Sequence, residues 1–228
     1  MDITLLLIVC AAAYLLGSIN TSILVAKVYG VDIRAHGSGN AGMTNALRVL
    51  GKKAAVFVLI GDILKGVIAI SVATLLVNIS ANLLQGIIMF DMDIYKYAAG
   101  FFVVLGHNFP VYFKFKGGKG ILSTATVVAI LQPKLFLCLL ALFVVIVAIT
   151  RYVSLGSVCA AAALVVIPLF TMWDNPAFIV FAAVTGVLAI FMHRSNILRL
   201  VQGSENKLGA KKKKTDNTTE QPENKEKS

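Results

Sequence analysis

Long apolar runs alternate with short polar interruptions along most of this chain. The runs cover residues 3–27, 54–77, 95–113, 121–131, 134–150, 155–172 and 176–192. A helix that crosses a bilayer needs roughly 20 mostly apolar residues, with about 17 as a lower limit. Six of the runs meet that length, while residues 121–131, closed by Gln132-Pro133, read either as a short tilted span or as a segment that re-enters without crossing. The expected fold class is therefore all-α, a polytopic membrane protein with about seven transmembrane helices. The first run follows Asp2 and precedes Lys27, so it lacks the basic leader of a cleaved signal and is expected to remain a helix.

Composition agrees with this picture. Of 228 residues, 58% are hydrophobic and 14% charged, against about 45–50% and 25% in soluble domains. The net charge of +10 could suggest nucleic acid, but the cations sit at the ends of apolar runs and in the tail, where membrane topology puts them. With the amino terminus outside, Arg34, Arg48, Lys52, Lys53, Lys114, Lys116, Lys119, Arg151, Arg194 and Arg199 fall on the cytoplasmic side with the carboxyl terminus, and only Lys96 and Lys134 lie outside. Residues 1–206 then form one transmembrane domain, and 207–228 a disordered basic cytoplasmic tail whose Lys211–Lys214 could meet anionic headgroups. Cys10, Cys138 and Cys159 all lie in apolar runs without C-x-x-C spacing, implying neither disulfide nor zinc.

Three unusual polar clusters, "RAHGSGNAGMTNALR", "GHNFPVYFKFKGGKG" and "HRSNILRL", fall on the same side of this topology. In the first, Gly37, Gly39 and Gly42 fit G-x-G-x-x-G, but the dinucleotide fingerprint needs a strand–turn–helix unit, and here a membrane run containing Asp62 follows. What remains is a loop whose glycines let backbone approach a ligand. Ser38, Asn40, Thr44 and Asn45 offer neutral hydrogen bonds there, and Arg48 a cationic fork. In the second, Gly117, Gly118 and Gly120 around Lys119 suggest a backbone nest for an anion, with Lys116 and His107 as further donors. It is not a phosphate loop of the Walker type, because Phe113 and Gly120 stand where glycine and Ser or Thr belong. The third places His193, Asn196 and Arg199 at helical spacing. Asp62 and Lys65, three apart inside a span, either neutralise each other or lend Lys65 to the site. Carboxylates on this side of the membrane are too few for a metal cage, so an anionic, phosphorylated substrate without metal or cofactor fits best.

The stretches "GSGNAGMTNALR", "GHNFPVYFKFKGGKG" and "HRSNILRLVQGSENKLG" resemble the three motifs of the acyl-phosphate-dependent glycerol-3-phosphate acyltransferases of bacterial phospholipid synthesis. The likeness runs from Gly17-Ser18 to Gly209; Met43 departs from a usual alanine, and Leu122-Ser123-Thr124 from a run of small residues. The resemblance implies an enzyme of the bacterial plasma membrane, its site facing the cytoplasm. It would move a fatty acyl group from acyl phosphate to the 1-hydroxyl of glycerol 3-phosphate, giving lysophosphatidic acid and inorganic phosphate. Ser38, Arg48, His107, Lys119, His193 and Asn196 are the expected catalytic residues; Gly37, Gly39, Asn40, Thr44, Asn45, Lys65, Lys116, Gly117, Gly118 and Gly120 are expected to bind substrate. Glu205 belongs to the third motif and ranks below them. The base stays open among His107, His193 and the substrate's own phosphate, with the phosphate preferred. No partner is implied beyond the two substrates and membrane lipid; the sequence leaves the oligomeric state open and is compatible with a monomer. The alternative class is a transporter of a phosphorylated metabolite; against it, the outer loops carry no matching polar set.

Overall fold

A computed structural model describes residues 2–83 and 91–209. Among them are ten α-helices and two 3-10 turns, and no strand. Lys211–Lys214 and nearly all of the expected tail lie outside the described residues.

The helices begin and end for local reasons. The Asp2 carboxylate accepts the N–H groups of Thr4 and Leu5 and so starts α1 (Ile3–Ser18). The first run was expected to be one helix, but it breaks at Ile19. There the Asn20 side chain accepts the N–H of Ile23 and opens α2 (Thr21–Val28). A short α3 (Met43–Val49) leads into α4 (Lys52–Leu83), which overruns the expected 54–77 at both ends. Helix α5 (Met92–Asn108) stops short of the expected residue 113, because Pro110 has no N–H to donate and disfavours helical backbone in the residue before it. Then follow α6 (Ile121–Leu131), α7 (Pro133–Thr150), α8 (Val153–Thr171) and α9 (Pro176–Met192). At His193 the chain bends by 55° into α10 (Arg194–Val201).

By length and composition four stretches can cross a bilayer, namely Ile3–Val28, Lys52–Leu83, Pro133–Thr150 and Val153–Thr171, and the bent α9–α10 pair makes a fifth. Helix α6 has only 11 residues, well short of a crossing. Leu7, Phe57, Val144, Phe170 and Val180 are more than half exposed, as suits side chains whose solvent is lipid.

Three tyrosines and an asparagine set helix directions. The Tyr95 hydroxyl meets the backbone of Asp2, and that of Tyr14 donates to the carbonyl of Phe109, so α1 and α5 run parallel. The Asn175 amide donates to the Tyr97 hydroxyl, which puts the start of α9 beside the start of α5. Helix α5 runs through the core, whose buried members include Val9, Val77, Tyr95, Val103, Val127 and Phe178. In lipid, apolar side chains gain little by leaving one hydrocarbon for another, so helices associate through close backbone packing. Gly17 and Gly106 provide that approach, since a Cβ on Gly106 would run into the carbonyl of Tyr14 and the N–H of Ser18.

Gly106→Ala should therefore cost about 1–3 kcal/mol of overpacking, read as a lower thermal midpoint in detergent. Leu137→Ala, on a lipid-facing position, should leave the midpoint nearly unchanged.

Candidate active site

The first polar loop is built around Asn45. Its Oδ1 accepts the N–H of Ser38 at 2.9 Å, and its Nδ2 donates to the carbonyls of Ile33 and His36 at 3.0 Å each. Expected as a substrate ligand, Asn45 instead spends its amide on holding the loop. Gly37 and Gly39 take left-handed backbone (φ 64° and 71°), which glycine adopts without cost. The loop thereby carries Ser38 and Asn40, and α3 carries Thr44 and Arg48, to the wall of one cavity of about 460 Å³.

The glycine loop of the second motif departs from expectation. Gly117 and Gly118 do not offer their N–H groups as an anion nest, because these donate to the carbonyls of Asn108 and His107 at 3.2 and 3.1 Å. The loop is thus tied to the end of α5. Gly118 lies against the His107 ring, where any side chain would collide with Nε2. Gly120, at φ 75°, turns the chain into α6, and Lys119 projects into the cavity.

The cavity's far wall is a network centred on Glu205. Its carboxylate accepts from Asn196 Nδ2 at 2.8 Å, Ser154 Oγ at 3.0 Å and Arg199 Nε at 2.7 Å. Asn196 Oδ1 in turn accepts a hydrogen bond from Lys119 Nζ. Burial pushes the Glu205 carboxyl up, but hydrogen bonds from Asn196, Arg199 and Ser154 outweigh it and hold the group below its usual value. Lys119 is moved the other way. Burial, reinforced by repulsion from Arg199 and only partly countered by Glu205, lowers its ammonium to about 8. His193 lies against the carbonyl of Ala189, with Nδ1 2.8 Å from the oxygen. A carbonyl can only accept, so Nδ1 carries the proton, and Nε2 is left as the acceptor on a ring that lines the cavity.

Helix ends add to this charge. Side chains cap α1, α2, α5 and α9. The four helices that begin at the cavity, α3, α6, α8 and α10, have no side-chain cap. First-turn residues of each, Thr44, Ile121, Ser154 and Asn196, line the cavity, which brings the positive ends of these helix dipoles to it. Beyond this polar end the cavity continues between α6, α7 and α8 over Leu122, Val128, Phe136, Leu139, Phe143 and Leu164.

Several expected ligands lie elsewhere. Lys65 and His107 belong to a buried cluster with Asp62. Lys65 Nζ is 2.9 Å from Asp62 Oδ1 and 2.7 Å from His107 Nδ1, and it also reaches the carbonyls of Gly17 and Ile19 at 3.4 Å. The cluster joins the break after α1 to α4 and α5, and neither Lys65 nor His107 lines the cavity. Gly39, Lys116 and Gly117 border a separate cleft, beside the exposed Arg34–Asp32 pair. Conversely, Ser154 joins the site although it was not expected there, and Arg199 and Glu205, which the sequence placed in the third cluster without a leading role, turn out to be central to it. Glu205 lay within the third motif and Arg199 within its helical spacing. Ser154 had no sequence signal, since it opens an ordinary apolar helix. Among the described residues no three His, Cys, Asp or Glu side chains group closely enough to hold an ion.

Comparison with known proteins is consistent across most of the chain. The family model described as glycerol-3-phosphate acyltransferase matches residues 7–203. A glycerol-3-phosphate acyltransferase of Clostridioides difficile (strain 630) is 44% identical over 214 residues, which is 93% of this chain and all of that protein. One from Halalkalibacterium halodurans is 45% identical, over 89% of this chain and 95% of its own. The crystal structure of PlsY (YgiH), an integral membrane glycerol 3-phosphate acyltransferase in its glycerol 3-phosphate form, aligns with a TM-score of 0.74 at 39% identity. The alignment covers 90% of this chain and 96% of that one. Its lysophosphatidic acid form aligns at 0.71 and 38%.

Lys119 is cationic below about pH 8 and neutral above. If it holds an anion, affinity for glycerol 3-phosphate should be nearly flat between about pH 7, where the phosphate monoester is a dianion, and about pH 8, and fall about tenfold per unit above. Calorimetric titration across pH should show that limb in the wild type, and Lys119→Arg should move it out of the accessible range.

Proposed function

The chain belongs to the glycerol-3-phosphate acyltransferase family, and on that premise we propose that it moves an acyl group from an acyl phosphate to the 1-hydroxyl of glycerol 3-phosphate. The substrate oxygen forms an ester bond to the acyl carbon while the carbon–oxygen bond of the mixed anhydride breaks. Phosphate leaves with the electron pair, and the hydroxyl proton passes to a base. The products are lysophosphatidic acid and inorganic phosphate.

The observation that carries this reading is the two-part cavity. Both substrates are phosphate anions, which need concentrated positive charge, and one of them carries a hydrocarbon chain, which needs an apolar channel. Arg48, Lys119 and the uncapped ends of α6, α8 and α10 supply the charge, and α6, α7 and α8 supply the channel. Ser38, Asn40 and Thr44 line the polar end as hydrogen-bonding groups for the glycerol backbone and the developing oxyanion. Glu205 holds Asn196 and, through it, Lys119. Because the anhydride is already activated, no covalent intermediate is required.

The base is either His193, whose Nε2 is the ring's acceptor, or the phosphate of glycerol 3-phosphate. His107 drops out, since its Nδ1 is occupied by Lys65 and the ring does not line the cavity. In the membrane the chain is read with seven passes. The 11-residue α6 is too short to span the hydrocarbon by itself and counts as a pass within the bundle interior, where Ser123, Val127 and Val128 are buried. The amino terminus lies outside and the cavity's polar end in the cytoplasm. The placement of Arg34, Arg48, Lys114, Lys116, Lys119, Arg151 and Arg194 around one end of the bundle supports that orientation.

Protein purified in detergent should release phosphate from palmitoyl phosphate only when glycerol 3-phosphate is present, with lysophosphatidic acid as the co-product. Lys119→Ala should lower kcat/KM roughly 100-fold or more with the fold intact. Binding of both compounds without product would reject the reading and favour a transporter.

A further inference from the structure

The cavity, counted from its polar end, has a measurable depth. On α8 its lining runs from Val153 to Leu164, and on α7 from Val147 back to Phe136. At a rise of about 1.5 Å per residue, each helix gives a channel roughly 16 Å deep. A bilayer core of about 30 Å is two leaflets thick, so the acyl layer of one leaflet is roughly 15 Å. The cavity is about one leaflet deep.

It also has an end. Val128, Leu139 and Leu164 line the channel and are at the same time buried members of the main apolar core, with Phe136 packed against them. Lining ceases on α6 at Val128, on α7 at Phe136 and on α8 at Leu164. A chain that enters with its reactive carbonyl beside Ser38 and Lys119 meets packed side chains at that level. Nearer the polar end, Ala160 and Ala161 leave the channel wide on the α8 side.

We propose that Phe136 and Leu164 form the floor of an acyl-chain ruler that sets which chain length the enzyme transfers. This rests on the acyltransferase reading above and deepens it. A methylene that finds room in the channel exchanges one hydrocarbon environment for another, at little gain. One that does not must displace the floor or kink the chain, so the first two-carbon step that overruns the floor should lose roughly 5–150-fold in kcat/KM.

The experiment is a chain-length profile of kcat/KM, using purified protein in detergent and the even-numbered saturated acyl phosphates as donors. Phe136→Ala deepens the channel and should move the optimum at least one step toward longer chains. Ala160→Leu fills the channel partway and should move it toward shorter ones. Ala160 is only partly buried, so this variant folds even if Phe136→Ala disturbs the core. In both variants the KM for glycerol 3-phosphate should be unchanged. If both retain activity with the wild-type profile, the chain does not end on this floor and the ruler is rejected. If the wild type transfers no acyl phosphate of any length, the acyltransferase reading fails, and the ruler with it.

Discussion

A single carboxylate ties the polar end of this molecule together. Glu205 has left regular helix behind, yet it is almost fully buried, and it is neutralised and hydrogen-bonded from three directions at once. A buried charge without such partners would be strongly destabilising, so the chain after α10 has to return to the bundle to bring the carboxylate to Asn196, Ser154 and Arg199. That return closes the cavity. It draws the start of α8 to α10, fixes the amide of Asn196, and through Asn196 Oδ1 aims Lys119 from the glycine loop. Three stretches far apart in sequence thus share one geometry because one anion cannot be left unpaired.

The same economy operates deeper in the bundle. Asp62, Lys65 and His107 satisfy one another, and Lys65 also serves the carbonyls exposed where α1 breaks. Since the Gly117 and Gly118 N–H groups bond the last carbonyls of α5, the position of the glycine loop follows from the position of α5. The loop is therefore built from the inside outward, and the glycines are needed for close approach to His107 and Asn108 rather than for contact with an anion.

How much of this could be read from the chain itself depends on the physical signal. Hydrophobic run length found the helices, because the bilayer imposes a minimum that composition reveals directly. It missed the break at Ile19, where one asparagine side chain replaced a helical bond, and the early stop of α5, where Pro110 acted two residues upstream. At the site, Ser38, Asn40, Thr44, Arg48, Lys119, His193 and Asn196 do come together around one cavity. Lys65, His107, Lys116 and the paired glycines do not, because a polar residue near a motif can as well serve the scaffold, and sequence carries no sign of which way it faces. Ser154 shows the converse: its importance comes entirely from Glu205, 51 positions away.

Helix α7 has one further consequence. Leu140 lines the cavity and is also 42% exposed, so at that level the wall toward the bilayer is one side chain thick. In the proposed reaction the acyl donor and the lysolipid product are both membrane-soluble, and neither has to pass through water to reach or leave such a site. The relevant concentration of donor is then its mole fraction in the leaflet. Turnover would follow surface dilution: adding inert lipid or detergent at fixed total donor would slow the enzyme as effectively as removing substrate.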